Sequence, residues 1–222
     1  MELIKRFEKN TQGRDFVVGD IHGMFSMLEE KLSEVGFNKN RDRLFCVGDL
    51  VDRGPESDMA DHYILREKWF HSVRGNHEQM LIDAMDTNGR FDAAGMHFIN
   101  GGQWFYGLPE VEQQCIALVL EELPLAFEVE TDKGLVGIIH AEVPFGDWEL
   151  FKSLYTANVD HCEAVALWAR SKLSRKDQSV VRGIDRVYVG HTYVPYVTQL
   201  GNVYYMDTGA CFGEKMILRQ IQ

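Results

Sequence analysis

Carboxylates, imidazoles and an amide recur in this chain in short clusters, each directly after an apolar run. In order they are Gly19-Asp20-Ile21-His22-Gly23, Gly48-Asp49-Leu50-Val51-Asp52-Arg53-Gly54, Arg74-Gly75-Asn76-His77-Glu78, then His140 and Gly190-His191. That donor mix suits hard-to-borderline divalent metals. One histidine at a strand end is more often satisfied by backbone than by metal, and one Gly-Asp is usually a turn. Six ligand types at successive strand ends point instead to a two-metal hydrolase. Asp20, His22 and Asp49 are assigned to one metal, and Asp49, Asn76, His140 and His191 to the other, with Asp49 bridging. Such ions sit about 3.5–4 Å apart and activate a water between them.

Beside the ligands stand Asp52-Arg53 and Arg74…His77. A phosphate ester needs planar cationic donors for its oxygens, which Arg53 and Arg74 supply. It also needs a proton for the leaving oxygen, which His77 can give while Asp52 orients it. Alone, either arginine would read as a surface ion pair. His62, His71, His97 and His161 lack a strand-end setting and read as surface or helix residues. His161-Cys162 is followed by Arg170 at the wrong spacing for a cysteine phosphatase, with no Gly-rich loop between.

The elements that position these groups alternate strand, loop and helix in the first half. Strands are expected at 15–18, 44–47 and 71–73, and helices at 24–35, 58–70 and from His77 onward. This βαβ rhythm predicts a mostly parallel sheet, whose ligands collect at the carboxyl ends of its strands. Residues 90–122 read as helical, broken at Asn100-Gly101-Gly102 and Pro109. Strands follow at 125–130, 135–139, 187–189, 203–206 and 215–218, with a helix over 160–169. Two sheets packed face to face with helices outside are expected.

The 222 residues carry no linker or repeat, so one domain over 1–222 is expected. A net charge of −11, from 23 basic and 34 acidic residues, argues against nucleic-acid binding. It does not exclude a phosphorylated substrate, because two dications would add positive charge locally. No apolar stretch approaches a membrane span, and Met1-Glu2-Leu3-Ile4-Lys5-Arg6 is not a secretory leader. Four scattered cysteines fit reduced thiols, and a cytoplasmic location is expected.

GDIHG, GDLVDRG and RGNHE, followed by His140-Ala141 and Gly190-His191-Thr192, resemble the metallophosphoesterases of the phosphoprotein phosphatase family. The likeness is strongest to the small phage lambda-like and bacterial Ser/Thr phosphatases. It extends over Asn100-Gly101-Gly102 with Trp104-Phe105, Leu167-Trp168-Ala169-Arg170 and Met206-Asp207-Thr208-Gly209-Ala210. The resemblance implies a four-layer α/β/β/α sandwich of two mixed sheets. It implies direct attack of a metal-bridging hydroxide on phosphoserine or phosphothreonine in proteins, with phosphotyrosine as a further substrate. It also implies that Arg170 joins the phosphate clamp. Manganese is the expected metal, with iron and zinc as alternatives. The expected partners are phosphorylated proteins or peptides, with neither nucleic acid nor membrane, and the expected state is a monomer or weak oligomer.

Two positions depart from the small relatives. Glu142-Val143-Pro144 stands where Asp-Tyr-Pro is usual, and Tyr193 where Pro is usual. Neither is a ligand, but both can reshape the rim. The alternative activity is that of symmetrical diadenosine tetraphosphate hydrolases, which carry Ala at the Asp52 position and Asp at the Glu78 position. A non-catalytic scaffold would have lost ligands, and here none is missing.

Overall fold

The computed structural model describes residues 3–86 and 92–222. Its elements run β1 Ile4–Phe7, β2 Asp15–Val18, α1 Phe25–Glu34, β3 Arg43–Cys46, α2 Ala60–Arg66, β4 Phe70–Ser72, α3 Asn76–Met85, α4 Ala93–Ile99, α5 Glu110–Glu121, β5 Ala126–Thr131 and β6 Gly134–Ile139. They continue with α6 Trp148–Leu154, α7 Val159–Trp168, α8 Ser171–Ser174, β7 Arg186–Val189, β8 Thr198–Leu200, β9 Val203–Tyr205 and β10 Leu218–Gln220. The helical stretch expected over 90–122 begins, at 90 and 91, outside the described residues.

One sheet has the order β10-β2-β3-β4, the other β1-β5-β6-β7-β9-β8. β2, β3 and β4 pair in parallel, and so do β6, β7 and β9, while β10, β5 and β8 supply antiparallel contacts. Both sheets are therefore mixed. β2 is buried along its whole length, which explains why Phe16-Val17-Val18 is a continuous apolar run rather than an alternating one.

Three apolar cores stack the layers. Phe25, Leu28 and Leu32 of α1 pack with Phe16, Leu44 and Leu120 on the outer face of the first sheet. Trp148, Phe151 and Ala166 of α6 and α7 cover Ile139, Val187 and Val203 on the outer face of the second. Between the sheets, Val17, Phe45, Val47 and Val73 meet Phe127, Ile138, Tyr188 and Met206. The order is helices, sheet, sheet, helices.

The helix expected over 58–70 ends at Arg66, and Trp69 and Phe70 enter the core on the way into β4. The last strand lies at 218–220 rather than 215–218, and β1 and β8 were not foreseen. No helix among the described residues is long and apolar enough to cross a membrane.

Candidate active site

All six expected ligands lie at carboxyl ends of strands and are buried. Asp20 and His22 follow β2, Asp49 follows β3, Asn76 opens α3 after β4, His140 follows β6 and His191 follows β7. Asp49 is central, with His22 Nε2 3.5 Å from its Oδ2 and His140 Nε2 3.3 Å from its Oδ1. Asn76 Oδ1 lies 2.8 Å from His140 Nε2 and 2.7 Å from His191 Nδ1. Two sets of ligand atoms fall within 4.8 Å of one another, Asp20–Asp49–His140 and His22–Asp49–His77. Asp49 belongs to both. The His191 amide donates to the Asp20 carboxylate at 3.0 and 3.2 Å.

The imidazoles are held ready to donate lone pairs. His22 Nδ1–H donates to Val51 O and His140 Nδ1–H to Val47 O, each at 2.8 Å, which turns both Nε2 atoms inward. Burial lowers the pKa of His22 and of His191 to about 3, and lowers that of His140, so all three are neutral. Burial raises the Asp20 carboxyl well above its ordinary value, and the charges of Asp207 and Asp49 add to the rise. Crowded buried carboxylates facing neutral imidazoles form an arrangement that dications neutralise, so the donor set fits divalent metal ions.

His77 Nδ1–H donates to Asp52 Oδ2 at 2.7 Å. Burial opposes a charge on His77, but Asp49 and the Asp52 hydrogen bond outweigh it and raise its pKa. Arg53 spans the mouth, with Nη1 2.7 Å from His22 Nε2, Nη2 2.8 Å from His77 Nε2 and its guanidinium 5.6 Å from the Phe212 ring. Arg170, exposed at the start of α8, contributes to depressing the pKa of both His140 and His191.

Arg74 is not brought to this cluster. It is buried, and its guanidinium donates to Gln79 Oε1 at 2.8 Å, Glu121 O at 2.9 Å and Leu123 O at 3.3 Å. Its side chain leaves the backbone toward α3 and α5, where it ties the β4 end to the end of α5. The expected clamp role is corrected on that ground. Cys162 is buried.

Three contributors were not foreseen. Glu78 is fully buried and accepts from the amides of Asp49, Leu50, Val51 and Gly75 at 2.7–3.3 Å, which fixes the Asp49 loop against α3. His97 and Trp104 both donate to Asp52 Oδ1, at 3.0 and 2.9 Å. The RGNHE cluster contains Glu78 but says nothing of those four amides, and no local spacing links residues 97 or 104 to 52.

The sequence profile of calcineurin-like phosphoesterases matches residues 16–195, which contain every expected ligand. The chain belongs to the calcineurin-like phosphoesterases. This metallophosphoesterase is 36% identical over 224 residues to serine/threonine-protein phosphatase 1 of Salmonella typhimurium, covering 100% of this chain and 98% of that one. It is 34% identical over 223 residues to serine/threonine-protein phosphatase 2 of the same organism, covering 96% of each. The fold is also that of a crystal structure of a putative diadenosine tetraphosphatase, with a TM-score of 0.64 at 21% identity, over 99% of this chain and 98% of that one.

Proposed function

We propose that this phosphoesterase removes phosphate from phosphoserine and phosphothreonine in proteins, with phosphotyrosine as a further substrate. The observation that carries this reading is the buried Asp52–His77 pair, 2.7 Å apart, opening beside Arg53 onto the Asp49-centred ligand clusters. Asp20, His22, Asp49, Asn76, His140 and His191 would hold two divalent ions, with Mn²⁺ the best match to this O/N set. When bound, such ions supply Lewis-acid charge and acidify a coordinated water.

The chain's own groups do the rest. Arg53 and Arg170 grip the nonbridging phosphate oxygens, Arg53 turning its fork from the two imidazoles to the phosphate. His77 Nε2, released by that turn, takes up a proton from solvent, favoured by its raised pKa, and gives it to the leaving serine or threonine oxygen. Asp52 keeps the ring oriented and stabilises its charge. The whole-length likeness to two proteins named serine/threonine-protein phosphatases supports the substrate class.

The test is a Mn²⁺-loaded comparison of phosphoserine, phosphothreonine and phosphotyrosine peptides with diadenosine tetraphosphate. Higher kcat/KM on the phosphoserine and phosphothreonine peptides is expected. Preferential cleavage of the dinucleotide would replace this reading with the tetraphosphatase one.

A further inference from the structure

Asp52 is fully buried, and its two oxygens receive three side-chain donors. One is His77; the other two come from a segment distant in sequence. His97 Nε2 lies 3.0 Å and Trp104 Nε1 2.9 Å from Oδ1, whereas His77 takes Oδ2 alone. An ionised carboxylate only accepts, so all three nitrogens present N–H to it. Burial would raise the Asp52 pKa, but the hydrogen bonds from His77 and His97 outweigh it and hold it below the usual carboxylate range.

The backbone here needs restraint. Asp52 and Arg53 are consecutive non-glycine residues in the left-handed region, at φ 72° and 69°, which side chains disfavour. The segment from α4 to the turn at 102–107 supplies the restraint. Gly101 O accepts from Arg53 N at 3.2 Å. A β-carbon on Gly102 would sit 2.3 Å from His97 Nε2, so only glycine lets that ring reach Asp52. His97 is itself fully buried, edge-on to Phe105, with the Tyr106 hydroxyl 3.2 Å from its Nδ1.

We infer that His97 and Trp104 are positioning residues for ester cleavage, fixing Asp52 so that His77 points at the leaving oxygen. Each donates to Asp52 and acts on the reaction through it. The inference rests on the reading of His77 as the proton donor. It gives the Asn100-Gly101-Gly102…Trp104 run, otherwise only a mark of family likeness, a mechanical task.

The experiment uses Mn²⁺-loaded protein, with a phosphothreonine peptide as the poor leaving group and nitrophenyl phosphate as the good one. His97→Ala and Trp104→Phe should each lower kcat on the peptide about tenfold, with KM little changed and a smaller loss on nitrophenyl phosphate. His97→Gln, which keeps an N–H donor, should recover most of the rate. Adding His97→Ala to Asp52→Asn should cost nothing further, because the group it holds is already disabled. Should His97→Ala fail to fold, Trp104→Phe keeps the aromatic bulk and carries the same comparison. Equal losses on both substrates, a KM rise instead of a kcat fall, or additivity with Asp52→Asn would overturn the inference. His77→Asn, run alongside, separates the two levels. A uniform loss there removes the proton-donor reading and this inference with it, whereas a leaving-group-dependent loss with silent His97 and Trp104 variants removes this inference alone.

Discussion

β2 and β3 each carry a buried aspartate at both ends, and the two ends are treated in opposite ways. At the amino ends, Asp15 takes a bidentate grip from Arg43 at 2.9 and 2.7 Å, and Asp42 accepts from Arg14 Nη2 at 2.6 Å and from the Arg14 and Asn38 amides at 2.8 and 2.9 Å. At the carboxyl ends, Asp20 accepts from the His191 amide and Asp49 from the His77 amide at 3.0 Å, among imidazoles held neutral by burial. Burial is the same, since all four aspartates are at most 5% exposed. A buried carboxylate whose cation is built into the chain serves the fold. One set among imidazoles instead is a candidate for chemistry.

The arginines divide in the same way. Arg53 lies at the mouth of the site on two imidazoles, and Arg74 is held by Gln79 and two carbonyls at the end of α5.

The largest effect that could break this contrast is metal removal. Exhaustive chelation should take phosphatase activity to background, and Mn²⁺ should restore it. Asp49→Asn should be as inactive as the chelated protein, yet in metal-free form melt close to chelated wild type, because the Asn oxygen still accepts from the His77 amide. A large loss of metal-free stability would place Asp49 with the structural aspartates.

Next is His77→Asn, which should lower kcat by roughly 10²–10⁴ while metal content, read by elemental analysis, stays near wild type. Loss of one bound metal per chain would make His77 a ligand, as its place in the His22–Asp49 set would allow.

The arginine pair sharpens the contrast further. Arg53→Ala should cost about 1.5–3 kcal/mol in kcat/KM and weaken inhibition by inorganic phosphate in step. Arg170→Ala should act in the same direction with smaller amplitude. Arg74→Ala should instead lower unfolding free energy by about 1–3 kcal/mol and leave phosphate inhibition unchanged. A shift in phosphate inhibition by Arg74→Ala would return that residue to the clamp.

The smallest effect lies at the amino ends. Burial would raise the Asp42 pKa, but its bonds from Arg14 and Asn38 outweigh it and hold it below the usual range. A depressed folded-state value means stability that is complete above the unfolded pKa of about 3.9 and is lost as pH falls through the folded value. Urea unfolding from pH 6 to 3 should show Asp42→Asn less stable at pH 6 by about 1–3 kcal/mol, with the deficit shrinking toward pH 3 and kcat unaffected.

The candidate ligands were legible as a group because each lies within four residues of the end of an apolar strand, and strand ends can be read from local pattern. Arg74 misled because adjacency in sequence does not fix direction. Its neighbour Asn76 faces the site, whereas its own side chain turns to the helical layer. His97 and Trp104 meet Asp52 across 45 and 52 residues, a distance that no window of spacing covers. The fold was legible at the level of layers, since runs such as Phe16-Val17-Val18 announce strands covered on both faces. The exposed middle of β1 and the three residues of β8 carry no such run, so those strands escaped notice.

The core shared by the two sheets also governs how the protein breathes. Val17, Val47, Val73, Ile138, Tyr188 and Met206 all belong to it, and every proposed ligand except His22 follows one of them within three residues. Moving such a ligand therefore means parting the sheets. Backbone amides of β2, β3, β6 and β7 should exchange with deuterium only through global opening, and heating should leave catalysis intact until the melting transition itself.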